Sequence, residues 1–106
     1  MTGAKFIAPV DLENIMPMVE RGECVLLDIR SASEFRSGHI RYAKLLPVDE
    51  LEKRIGEIDP GKTLVIYCRS GRRCVAALSI LNRNGHGEVL ILEGGLERWR
   101  SGLDMD

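Results

Sequence analysis

A chain of 106 residues fits a single domain, 1–106, and 44% hydrophobic with 29% charged residues is an ordinary globular balance. The formal net charge of -1, from 15 basic and 16 acidic residues, gives no electrostatic footprint for a nucleic acid or an anionic membrane as partner. No run reaches the roughly 20 apolar residues that span a bilayer, and Met1 to Val10 lacks the features of a signal peptide, so a cytoplasmic protein is expected.

In chain order, a short strand at Lys5 to Ile7 precedes a helical face made by Leu12, Ile15, Met16 and Val19. Pro17 falls inside that pattern, where it removes a backbone hydrogen bond and should kink or end the helix near its last turn. After a turn at Arg21-Gly22, the nearly continuous apolar run Val25 to Ile29 reads as a strand covered on both faces. A weaker strand near Lys44 to Leu46 leads to a helical face at Val48, Leu51 and Ile55. Here the i, i+4 pairs Asp49 with Lys53 and Glu50 with Arg54 mark a solvated outer side. Leu64 to Tyr67 is the next buried strand; Cys74, Ala77, Leu78 and Leu81 share a helix face behind it; Val89 to Leu92 is the last strand. Leu96, Trp99 and Leu103 are expected on the core side of a final helix. Strand alternating with helix implies a mostly parallel sheet with helices on both faces and an active crevice at the carboxyl ends of the central strands.

Three cysteines, Cys24, Cys68 and Cys74, lack Cys-x-x-Cys spacing, and with two histidines a zinc site is poorly supplied; no metal and no cofactor are expected. Cys68 ends a buried strand and opens the segment Arg69-Ser70-Gly71-Arg72-Arg73, with a helix beginning at about Arg72 or Arg73. Free backbone N–H groups and the helix dipole favour an anion at such a place, whether thiolate or substrate. Helix amino termini and nearby cations lower a cysteine pKa from its usual value of about 8.5, so Cys68 beside three arginines is expected to be largely thiolate. Gly71 permits a positive φ that lets several N–H groups converge. Inert burial is the common role of a free cysteine. A concentrated positive loop, which must stay partly hydrated, argues against that role here.

Three blocks resemble the rhodanese family across nearly the whole chain. The first is Leu27-Asp28-Ile29-Arg30 with Glu34-Phe35, Gly38-His39-Ile40, Ala43 and Pro47; the second is the Cys68 loop; the third is Glu93-Gly94-Gly95-Leu96 with Trp99. The resemblance implies a rhodanese-like α/β domain with a five-stranded, mostly parallel sheet flanked by helices on both faces. It also implies that Cys68 carries sulfur as a persulfide and that Arg69, Ser70, Gly71, Arg72 and Arg73 surround it, with Arg30 bordering the pocket. Tyr42 stands where the family usually has glycine and Leu45 where it often has asparagine, so the turn after Ile40 is expected to differ locally. Rhodanese-fold phosphatases place an arginine six residues after the nucleophile; here that position is Cys74 and the arginine comes one earlier, at Arg73. Phosphatase and arsenate reductase chemistry therefore rank below sulfur transfer.

The expected reaction is a double displacement. Thiosulfate or another sulfane donor loads Cys68, and cyanide, a thiol or a thioredoxin-like protein unloads it, with ping-pong kinetics. Arg69, Arg72 and Arg73 would attract the anionic donor. The competing expectation is a persulfide carrier or regulatory module loaded by a partner protein, and a monomer is expected in either case. Cys74 is expected to pack, with a resolving thiol as its alternative role; Cys24 is likewise expected to pack. His39 is expected to be a structural hydrogen-bonding residue, and Asp28 and Glu34 to anchor arginines of their own segment.

Overall fold

A computed structural model describes residues 4–105. The apolar runs form one sheet from β1 (Lys5–Ile7), β2 (Cys24–Asp28), β3 (Lys44–Leu45), β4 (Thr63–Tyr67) and β5 (Val89–Leu92). The strand order is β1-β5-β4-β2-β3, and every neighbouring pair is parallel. β4 lies in the middle, with Leu26 beside Val65 on one side and Ile91 beside Ile66 on the other.

Alternate residues of β4 enter two separate cores. Leu64, Ile66 and Cys68 pack with Leu51, Cys74, Ala77 and Leu81; Val65 and Tyr67 pack with Leu12, Val19 and Trp99. The helices supplying those partners are α1 (Pro9–Glu20) on one face, with α3 (Val48–Leu51) and α4 (Arg72–Arg83) on the other; the five-residue α2 (Ala32–Arg36) buries nothing. Two covered faces explain why the strands read as unbroken apolar runs. Each fully buried Leu or Ile contributes about 1.5–3 kcal/mol relative to an exposed one. Among the described residues no helix is long and apolar enough to cross a membrane.

One local expectation holds and two need correction. Helix α1 ends at Glu20, within one turn of Pro17, and the Pro17 carbonyl still accepts from the Arg21 N–H at 3.1 Å. Pro removes one hydrogen bond, while Leu12 and Val19 on the buried face hold the segment on either side of it. The face Val48, Leu51, Ile55 is not one helix: α3 stops at Leu51 and a single 3-10 turn follows at Ile55–Glu57, although Arg54 does pair with Glu50 at 3.0 Å. The final helix is also a single 3-10 turn, Gly95–Arg98. The N–H groups of Leu96 and Glu97, free at the start of this turn, donate to the Cys68 and Arg69 carbonyls. Trp99 is buried, but Leu103 is 47% exposed and lies outside the core.

Candidate active site

Cys68 leaves the carboxyl end of the central strand, and its residue surface is only 1% exposed. Gly71 takes φ +106, and this turns its N–H back onto Cys68 Sγ at 3.0 Å just before α4 begins at Arg72. From the first turn of α4, the Cys74 S–H donates to the same sulfur at 3.6 Å. Cys68 is thereby lowered to a pKa of about 5. The leading cause is the Cys74 hydrogen bond, which with the amides of Gly71, Arg73 and Cys74 outweighs the opposing effect of burial. The cradle is made of short, fixed donors; the sequence pointed to converging N–H groups and to the arginine charges, with no sign of the Cys74 thiol among them. Cys74 carries the reverse shift: its thiol is raised by the neighbouring thiolate and by burial, and it keeps its proton.

The arginines divide by partner. Arg73 is held by Glu34, with Nη1 to Oε1 at 2.8 Å and Nη2 to Oε2 at 3.0 Å. Arg69 is exposed and reaches Glu97 at 3.2 Å; Arg72 is exposed with no ion-pair partner among the described residues. Ser70 is exposed at the loop tip. Arg30 stands at the same sheet edge but is buried, donating to Asp28 (Nη2 to Oδ2, 2.6 Å) and to the Gly38 carbonyl at 2.7 Å. It braces the wall that adjoins the Cys68 loop, with its Nε and Nη2 groups committed to Asp28 and Gly38 O.

Glu34 was expected to serve its own segment, yet its carboxylate reaches across 39 positions to the Cys68 loop. A capping box fixes it there: Ser31 Oγ accepts from the Glu34 N–H, and Glu34 Oε1 accepts from the Ser31 N–H. The Ser31-x-x-Glu34 spacing was the available signal for that placement, although not for its distant partner. Arg73, first among the causes, holds the Glu34 pKa at about 2.

The other side of the loop is closed by backbone. Cys68 O accepts from the Leu96 N–H at 2.9 Å and Arg69 O from the Glu97 N–H at 3.1 Å. A Cβ on Gly95, whose φ is +66, would stand 2.4 Å from Arg69 O, so only glycine allows this approach. His39 is structural, with Nδ1 2.9 Å from Phe35 O and its ring stacked on Phe35. Cys24 is buried in the α1-side core, and burial raises its pKa. No cluster of three metal-ligating side chains occurs among the described residues.

A family model described as a rhodanese-like domain matches residues 11–102. A sulfurtransferase of Allochromatium vinosum is 41% identical over 96 residues, covering 89% of this chain and 90% of its own length. A thiosulfate sulfurtransferase of Pseudomonas savastanoi is 34% identical, with 95% and 92% covered. A putative sulfur carrier protein of Bacillus subtilis is 30% identical; 91% of this chain matches 52% of its length. Among solved structures, a rhodanese-like domain protein of Staphylococcus aureus superposes with a TM-score of 0.84 at 27% identity, covering 96% of this chain and 98% of that one.

Proposed function

The chain belongs to the rhodanese-like domain family, whose matching members include sulfurtransferases, and on that premise we propose that it moves sulfane sulfur through a persulfide on Cys68. The observation that carries the reading is the donor cradle: three backbone amides and one S–H converge on a thiolate that ends the central strand. The Cys68 thiolate attacks the outer sulfur of thiosulfate, the S–S bond to the sulfonate breaks, and sulfite leaves with its electron pair. The outer sulfur stays on Cys68 as a persulfide anion beside the amides. Cyanide or a thiolate then takes that sulfur and returns Cys68 to thiolate. Arg72 and Arg69 at the exposed rim favour approach of the dianion, and the amides supply the fixed donors that a departing charge needs.

A phosphatase reading loses further ground, because the position six residues after the nucleophile is occupied by the Cys74 thiol, turned inward onto Cys68. Loading by a partner protein is supported by the burial of Cys68 and by the likeness to a sulfur carrier protein. We place the protein in the cytoplasm, where thiols remain reduced and Cys68 is available, acting as a monomer on a small anionic donor with a thiol or thioredoxin-like acceptor.

The test is stoichiometric. Reduced protein mixed with thiosulfate should release about one sulfite per chain, and with cyanide present in excess from the start it should yield thiocyanate with ping-pong kinetics. Cys68→Ser should do neither. The loading rate should fall as pH drops through about 5, where the Cys68 thiolate is protonated. Sulfite release by Cys68→Ser at the native rate would refute the proposal; no release from folded native protein would transfer the role to a protein donor.

A further inference from the structure

Cys74 does more than pack. Its side chain is fully buried, at 0% exposure, and the sulfur is aimed at Cys68 Sγ from 3.6 Å, close to van der Waals contact. A helix packed on a sheet needs only a small apolar residue there, and Ala77 supplies that one turn further along the same buried face. Of the three cysteines, Cys24 is in the other core, so Cys68 and Cys74 form an isolated dithiol.

We propose that Cys74 resolves the Cys68 persulfide from within the chain, releasing the transferred sulfur as sulfide and leaving a Cys68–Cys74 disulfide. The step rests on the persulfide reading above. Cys74 Sγ attacks Cys68 Sγ, the bond from Cys68 Sγ to the outer sulfur breaks, and the outer sulfur leaves with the bonding pair. The Cys74 proton ends on that sulfur, which departs as HS⁻. The sulfane sulfur is reduced and the two cysteines are oxidised, so no other oxidant is required. An external dithiol reopens the disulfide by exchange and completes the cycle.

The geometry also explains why the pair is stable before loading. While Cys68 is a thiolate, a second thiolate 3.6 Å away is unfavourable, and Cys74 stays protonated as a hydrogen-bond donor. Once Cys68 Sγ bears the outer sulfur, the negative charge moves to that outer atom. The obstacle to ionising Cys74 is then reduced, and its position at the start of α4 favours the developing thiolate. With thiosulfate as donor and a dithiol as reductant, the protein thus generates sulfide. With cyanide or a competing thiol in excess, the same persulfide is captured before Cys74 reacts.

The experiment uses full-length native protein, Cys74→Ala and Cys74→Ser, each reduced, loaded with inorganic polysulfide, freed of excess reagent and held without an acceptor. Native protein should release about one sulfide per chain at a rate independent of protein concentration. Its final mass should be two hydrogens below that of the reduced chain, with the Cys68 and Cys74 peptides linked. Both variants should stay one sulfur heavier, with lifetimes at least about 100-fold longer, as the advantage of pre-positioned reactants predicts. Equal persulfide lifetimes in native and variant chains, or disulfides joining two chains, would overturn the inference while leaving sulfur transfer intact. The variants alter the Cys74 donor and are expected to load more slowly, so only lifetimes after loading are compared. Failure of the folded native chain either to gain a sulfur or to release sulfide would instead count against the persulfide reading and remove this step with it.

Discussion

Asp28 and Arg30 are two residues apart and meet under cover, their side chains 0% and 7% exposed; Glu34 and Arg73 come from 39 positions apart and meet with 32% and 38% exposed. Both pairs stand at the carboxyl edge of the sheet, yet they do different work. The first closes a wall, since Arg30 also binds Gly38 O and lies 5.8 Å above the Tyr67 ring. The second tethers the first turn of α4, and through it the amides that face Cys68. Burial converts a charge pair into a structural commitment, because neither partner can return to water without disturbing the wall. Exposure leaves the other pair weak in energy but well placed to steady a loop.

The largest effect should come from breaking the covered pair. Arg30→Ala leaves the Asp28 carboxylate buried without its counter-ion and should lower stability by about 3–5 kcal/mol in urea unfolding. Arg30→Lys restores the charge but not the planar fork that spans Asp28 and Gly38 O, so it should fall between the two. A loss below about 1 kcal/mol for Arg30→Ala would mean that the wall does not depend on the pair.

Glu34→Gln should cost much less, about 1 kcal/mol or below, since solvent screens a pair with a third of each side chain exposed. Arg73 lowers the Glu34 pKa to about 2 in the folded chain, against about 4.3 for a free glutamate. A depressed carboxylate pKa contributes stability that is fully present above the unfolded value and lost as pH falls through the folded one. The stability gap between native and Glu34→Gln should therefore hold from pH 7 to about 5 and close between about 4.3 and 2. It should also shrink with added salt. Persulfide loading should slow less than tenfold, because Leu96 and Glu97 still hold the loop from the other side. A gap that widened on acidification would contradict the pairing.

These two pairs also mark how far the sequence could be read. Runs such as Leu64 to Tyr67 were legible because both faces of the sheet are covered and every residue is apolar. The Cys68 loop was legible because its chemistry is contiguous. Asp28 with Arg30 is a local pair, whereas Glu34 with Arg73 exists only after the sheet has brought two loops to one edge. The same holds for Cys74, whose helical periodicity indicated packing but could not show a sulfur aimed at Cys68. Gly94-Gly95 read as a family signature. Its physical reason, the Arg69 carbonyl lying where a Cβ would be, depends on a contact across sequence.

Tyr42 offers the finest test, and one of opposite sign. It belongs to the braced wall, in the turn closed by the Ala43 N–H onto Ile40 O at 3.0 Å, and it takes φ +68 itself. A tyrosine here takes the left-handed conformation itself, at a cost of about 1 kcal/mol or somewhat more for a residue with a Cβ. The wall explains the tolerance: Arg30 bonded to Gly38 O and the Tyr67 hydroxyl accepting from the Ile40 N–H fix the residues leading into the turn. Tyr42→Gly removes that strain, against the greater entropy of glycine in the unfolded chain and the loss of an exposed ring 5.1 Å from Arg41. The net gain should be about 0.5 kcal/mol, or roughly 2–4 °C in Tm for a domain of this size. Sulfur loading should not change, because the strain lies in the wall and not in the cradle around Cys68; a changed loading rate would show that the two regions are mechanically coupled.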